Sequence, residues 1–140
     1  LEYLGVADCG TVMHPDGLGA QMHGGAVMGF GMASSERHVY DPKLGIPANR
    51  GLYQQKPPTY LDVPSKLEWA AVNKPDPQSP FGSRGVGEPP LGAAASAVAS
   101  AISDAMGGHL FNRIPVTPDM IVNVLFGQPQ SHKALQVNTQ

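Results

Sequence analysis

At 140 residues the chain is long enough for one domain with a real core, near the usual size of roughly 100–150 residues, and nothing in it calls for two. A formal net charge of −2 with no block of like charges leaves no electrostatic footprint for nucleic acid or a membrane surface. The single cysteine excludes an internal disulfide and any cysteine-based zinc or iron–sulfur site formed by this chain alone, and no apolar run approaches the roughly 18 residues that a membrane span needs.

The 17 glycines and 14 prolines far exceed the usual combined share of about 12 per cent, yet aliphatic and alanine content stays high, so the composition describes a loop-rich globular piece. The start, Leu1-Glu2-Tyr3-Leu4, carries no initiator methionine and neither block of a signal peptide. A fragment, a processed subunit or a trimmed piece of a cytoplasmic protein is expected.

In chain order, Leu1 to Ala7 is a short apolar run without helical period, bounded by Asp8 and Gly10, and reads as a strand of a covered sheet. Pro15 and Asp16 suit a helix's first turn, and Leu18, Met22, Val27 and Phe30 anchor a helix ending near Ser35. Gly19, Gly24, Gly25, Gly29 and Gly31 lie within it, and each costs about 1 kcal/mol against alanine unless close packing requires it. Such a helix is expected to lie tightly against backbone or a cofactor. Arg37 to Tyr40 reads as a strand ended by the turn Asp41-Pro42-Lys43-Leu44-Gly45.

From Pro57 to Pro80 prolines punctuate an irregular path around one strand, Lys66 to Val72. Tyr53, Tyr60 and Trp69 mark a wrapped connection with something to pack on. Leu91 to Met106 is a buried helix of small residues with Val98, Ile102 and Met106 four apart, stopped by Gly107 and Gly108. Thr117-Pro118-Asp119 opens a last helix through Leu125, with Thr117 as N-cap. The fold class is mixed α/β, with a small covered sheet and buried Gly/Ala-rich helices. Residues 1–126 form the domain and 127–140 a polar tail that orders only by lying on something else.

The chemistry concentrates in Pro80-Phe81-Gly82-Ser83-Arg84-Gly85-Val86-Gly87-Glu88-Pro89-Pro90-Leu91-Gly92. Three glycines let the main chain approach a ligand, and a single carboxylate follows. Because a residue before proline is biased to extended backbone and Pro-Pro suits a helix's first turn, Glu88 is expected extended and stiffly held at a loop–helix junction. That is how a single base would be aimed. The plainer alternative is a solvated turn or a helix-end acid favoured by the macrodipole.

Gly85-Val86-Gly87-Glu88-Pro89-Pro90-Leu91 resembles the active-site glutamate motif of the molybdenum hydroxylases, the family of xanthine dehydrogenase and aldehyde oxidase. Asp8-Cys9-Gly10-Thr11-Val12-Met13-His14-Pro15 and the run from Gly19 to Gly31 resemble that family's Gly-rich helix with its cofactor-contacting glutamine, here Gln21. The similarity spans Val6 to about Phe126, the carboxyl-terminal part of a molybdopterin-binding large subunit, and implies one half of a molybdopterin-binding domain. It implies a molybdenum–molybdopterin cofactor held by the pterin's own sulfurs, with iron–sulfur clusters and FAD on partner domains or subunits. The implied reaction hydroxylates a heteroaromatic, purine-like, or aldehyde carbon of a small-molecule substrate with water-derived oxygen. Glu88 would act as the base that activates a molybdenum-bound hydroxyl. The remaining partner is the rest of the large subunit, and the competing function is a non-catalytic assembly domain sharing the fold.

Burial beside Val86 and Leu91 would raise the pKa of Glu88 and the helix end would lower it. The amide of Gln21 can hydrogen-bond a metal oxo group or a pterin edge, and equally suits an exposed helix face. Gly24, Gly25, Gly85, Val86 and Gly87 are candidate main-chain contacts to the cofactor, although glycine more often serves backbone geometry. His14, His23 and Cys9 make a poor metal site, because the histidines are nine positions apart rather than three or four. Arg84 sits where the resembled family has a basic residue, although a loop arginine is more often a surface charge or a carboxylate partner, and Gly82 to Gly87 lacks the Gly-Lys-Ser/Thr ending of a phosphate loop.

Overall fold

The computed structural model describes residues 2–132. Strands β1 (Glu2–Ala7) and β2 (Lys66–Ala71) pair in parallel, Glu2 opposite Lys66 and Ala7 opposite Ala71. Parallel neighbours need a long crossover. Here it carries helix α1 (Pro15–Ser34), the short helix α2 (Leu52–Gln55) and a 3-10 turn at Tyr60–Asp62. Two helices follow β2: α3 (Pro89–Ala105) and α4 (Pro118–Leu125).

Alternation along the strands decides what the sheet buries. Ala7, Trp69 and Ala71 pack with Cys9, Leu18 and Met22, while Tyr3 and Leu67 pack with Ala26, Phe30 and Ala94. Tyr3 meets Phe30 edge to face at 5.2 Å, and burial there raises its phenol pKa. The helices cover this face only, since Leu4 and Val6 on the other are 59% and 60% exposed.

The glycines of α1 are used for close approach. Trp69 lies over Gly19, where an added Cβ would sit 2.5 Å from the indole nitrogen. On the side facing α3, a Cβ at Gly25 would meet Pro90 at 2.6 Å, and one at Gly29 would meet Ala94 Cβ and the Leu91 carbonyl, both at 2.6 Å. Both contacts advance together by one turn, so α1 and α3 run in the same direction with backbones nearly touching. Gly107 and Gly108, at φ +70° and +85°, end α3, with Gly108 N–H donating to the Ser103 carbonyl.

Several expectations are corrected. Arg37 to Tyr40 is not a strand; Tyr40 makes only an isolated bridge to Pro47. The cause is Asn49, buried at 8% exposure, whose Oδ1 accepts from Val39 N–H and whose Nδ2 donates to the Arg37 carbonyl. One side chain thus takes the place of a partner strand. Tyr53 and Tyr60 do not pack within the chain, being 91% and 92% exposed; Trp69 does. Thr117 stands at the N-cap of α4 but makes no cap bond with its side chain, because its hydroxyl serves the Asp119 carboxylate. The tail begins by folding back on α4, Gln130 donating to the Met120 carbonyl and Ser131 to Asp119. The rest of the expected tail, 133–140, lies outside the described residues. Among those described, no helix is long and apolar enough to cross a membrane.

Candidate functional site

The two motif segments, far apart in sequence, meet beside the start of α1. Thr11 N–H donates to the Gly82 carbonyl at 2.7 Å, Arg84 N–H donates to the Cys9 carbonyl at 2.7 Å, and Gly10 bridges Ser83 between them. Glycine is required on both sides. Gly10 and Gly82 each take φ +69°, and a Cβ on Gly10 would collide with the Gly82 carbonyl oxygen. Arg84 is a carboxylate partner: its Nε lies 2.8 Å from Asp76 Oδ2 and its Nη2 3.6 Å from Asp8 Oδ2.

Downstream the loop is held by one side chain and one backbone acceptor. Val86 packs onto the Cys9, Leu18 and Met22 cluster. The Nε2 of Gln21, half-buried on α1, donates to the Gly87 carbonyl at 2.8 Å. Gln21 is therefore not a free surface residue. One of its donors holds the residue before Glu88, leaving a second donor and the amide oxygen beside the cleft it lines.

Glu88 is exposed and stands at the N-cap of α3 with φ −78° and ψ −15°. This right-handed conformation corrects the extended backbone expected before proline. The cause lies in the first turn: Pro89 and Pro90 have no N–H, and the first that exists, that of Leu91, donates to Glu88's own carbonyl at 2.9 Å. No first-turn N–H is left for the Glu88 carboxylate, which makes no cap hydrogen bond. A capping hydrogen bond is thus absent, and among the described residues the exposed carboxylate of Glu88 accepts none.

An open cleft of about 460 Å³ is lined by residues that include Cys9, Thr11, Leu18, Gln21, Gly85 and Val86; Gly24, Gly87 and Glu88 are not among its lining residues. Its size falls within the range of roughly 300–1,000 Å³ usual for ligand sites. His14 is engaged at the N-cap of α1, its Nδ1 accepting from Gly17 N–H at 2.7 Å, and Cys9 is buried in the core. His23 Nε2 is buried without a partner among the described residues. Sequence reasoning missed the Asp76 contact, the His14 cap and the Gln21–Gly87 bond. Only the paired glycines at 10 and 82 carried a local signal of the meeting loops.

Residues 1–64 match the family described as Molybdopterin cofactor-binding domain. The chain is 39% identical over 115 residues to the xanthine dehydrogenase molybdenum-binding subunit of Escherichia coli O157:H7, covering 82% of this chain and 15% of that protein. It is 32% identical over 120 residues to the aldehyde oxidoreductase of Megalodesulfovibrio gigas, covering 86% of this chain and 13% of that protein. Quinoline 2-oxidoreductase from Pseudomonas putida 86 superposes with a TM-score of 0.82 at 30% identity over 91% of this chain and 16% of the other.

The chain belongs to the molybdenum hydroxylase family. It corresponds to a portion of the molybdopterin-binding subunit of xanthine dehydrogenase and aldehyde oxidoreductase type enzymes, about 15% of the curated relative's length.

Whether the residues present suit a molybdenum hydroxylase cofactor is tested by the glycines. At Gly24, Gly85 and Gly87 an added Cβ would meet nothing within 4 Å, and none has a left-handed φ. Neither packing among the described residues nor backbone geometry calls for glycine there, so bare main chain is left open at these positions. Gly85 lines the cleft together with the spare polar atoms of Gln21. Open main chain at Gly85 beside the Gln21 amide suits a polar-edged group. Gly25 differs, being buried against Pro90, where its missing side chain serves the helix contact that seats Glu88.

Proposed function

We propose that the chain forms one wall of the molybdopterin site of an oxidoreductase that hydroxylates a heteroaromatic, purine-like, or aldehyde carbon with water-derived oxygen, Glu88 acting as general base. The observation that supports this reading is the Glu88 carboxylate, exposed and without a cap bond at the end of a loop tethered on both sides. The molybdenum cofactor, when bound, supplies the two-electron oxidation. Gln21 would hold its edge through the spare donor and acceptor, with main chain at Gly24, Gly85, Val86 and Gly87 beside it. Gly25 supports them from beneath. Glu88 accepts, at a carboxylate oxygen within about 2.6–3.2 Å, the proton lost by the water-derived oxygen as it bonds to carbon.

Replacing C–H by C–OH with water's oxygen releases two electrons and two protons. With one cysteine this chain alone cannot build the clusters that would carry those electrons, and in this reading iron–sulfur and FAD groups lie on partner domains or subunits. The rest of the large subunit supplies the opposite wall and the substrate contacts. Residues 1–126 act as the domain piece and 127–140 as its tail. Metal and pterin analysis of the native complex is the test: molybdenum with a pterin agrees, and a metal-free native complex would make the chain an assembly domain.

A further inference from the structure

We infer that Gln21 is a positioning residue for the base, fixing the Gly87–Glu88 peptide through its side-chain amide independently of any grip it has on the cofactor. The inference rests on the reading of Glu88 as base. It comes from the register of the helix pair. Contacts between α1 and α3 step back one turn at a time, from Gly29 against Ala94 to Gly25 against Pro90. One turn further back, α3 has not yet begun and its backbone has swung away as loop. There the glycine is replaced by Gln21, whose amide spans the wider gap to the Gly87 carbonyl at 2.8 Å.

Upstream, the loop is fixed as far as Arg84 by Thr11, Cys9 and Asp76. Downstream, α3 is fixed from Pro90 onward by Gly25 and Gly29. Between them, Val86 is held by apolar packing, which tolerates sliding, and the Gln21 bond is the directional tether on the loop side of Glu88, whose own carbonyl is held from the helix side by Leu91 N–H. Severing it frees the carboxylate to shift by a fraction of an ångström or more. Misplacement of a catalytic group by about 1 Å can cost on the order of a hundredfold in rate.

The test uses the complete enzyme as wild type, Gln21→Met, which keeps side-chain length without a donor, Gln21→Ala, Glu88→Gln and the double variant Gln21→Met/Glu88→Gln. The position of the Glu88 carboxylate in crystal structures of these variants is read beside kcat, KM and molybdenum content. Loss of the Gln21 hydrogen bond should displace the Gly87–Glu88 peptide and the Glu88 carboxylate by about 1 Å, or disorder them, in both single Gln21 variants. kcat should fall roughly ten- to a hundredfold with KM moving less, and in the Glu88→Gln background the Gln21→Met loss should vanish, because both act through one group. An unmoved and equally ordered Gly87–Glu88 peptide in Gln21→Met overturns the tether. Full additivity with Glu88→Gln overturns its action through the base and leaves Gln21 a cofactor contact. If Glu88→Gln alone retains wild-type kcat, the base reading fails, and with it the positioning role, while the structure of Gln21→Met still shows whether the tether exists.

Discussion

Alanine at Gly29 and at Gly24, five residues apart on one helix, should change stability in opposite directions. At Gly29 the new methyl would lie 2.6 Å from Ala94 Cβ, 2.6 Å from the Leu91 carbonyl oxygen and 2.8 Å from Ala95 N. Two of these atoms are backbone and cannot rotate away, so α3 must retreat by about 1 Å to restore contacts near 3.5 Å. Overpacking of this kind costs about 1–3 kcal/mol, and the rigidity of the neighbours places it at the upper end. Removing a helical glycine returns about 1 kcal/mol, for a net loss of about 2 kcal/mol. At Gly24 nothing lies within 4 Å, so only the gain of about 1 kcal/mol remains. Urea unfolding of the cofactor-free protein should move the midpoint down by about 1 M for Gly29→Ala and up for Gly24→Ala. Equal shifts, or a stabilised Gly29→Ala, would refute the close-packed helix pair.

Arg84→Ala removes a half-exposed ion pair with Asp76, so it should cost at most about 1 kcal/mol, less at high salt, and loosen residues 82–84 in hydrogen exchange. A loss well above that would give Arg84 a larger role. Asn49→Ala leaves Val39 N–H and the Arg37 carbonyl without their partner and should cost about 1–3 kcal/mol in thermal or denaturant unfolding; a neutral result would show water replacing it. The Thr59 backbone N–H, then its hydroxyl, hold the Asp62 carboxyl below the ordinary carboxylate range. The hydroxyls of Thr117 and then Ser131 do the same for Asp119. Both folded values lie below the unfolded ones, so their contributions are present above about pH 4 and are lost as pH falls through the folded values. NMR titration of the two side-chain carboxyls checks the direction, and values at or above those of the unfolded chain would contradict it.

The regular elements were legible wherever period and punctuation were local. The alternation of β2, the Pro-Asp start of α1 and the double-glycine stop of α3 each act within a few residues. The glycines of α1 announced close packing but not its partners, since Trp69, Pro90 and Ala94 are brought there by the chain path. The strand expected at Arg37 failed because Asn49 satisfies its backbone, and an asparagine side chain reaching ten residues back leaves no periodic trace. Glu88 was legible as a residue but not as a conformation, because the rule for a residue before proline yielded to the first turn's need for an acceptor. The Gln21 tether joins positions 66 apart and has no sequence signature beyond the presence of an amide.

The most direct measurement is substrate reduction of the complete enzyme carrying Glu88→Gln, followed under single-turnover conditions with molybdenum content determined on the same sample. The substitution keeps shape and volume but cannot accept the proton. The carboxylate makes no cap bond, so α3 should lose no hydrogen bond by the change, only the roughly 0.3–1 kcal/mol of a negative charge at its N-terminus. With Glu88 as base, molybdenum content is unchanged and the reduction rate falls by about 10²–10⁴. Reduction at a near wild-type rate with molybdenum bound would show that this carboxylate does not take the proton.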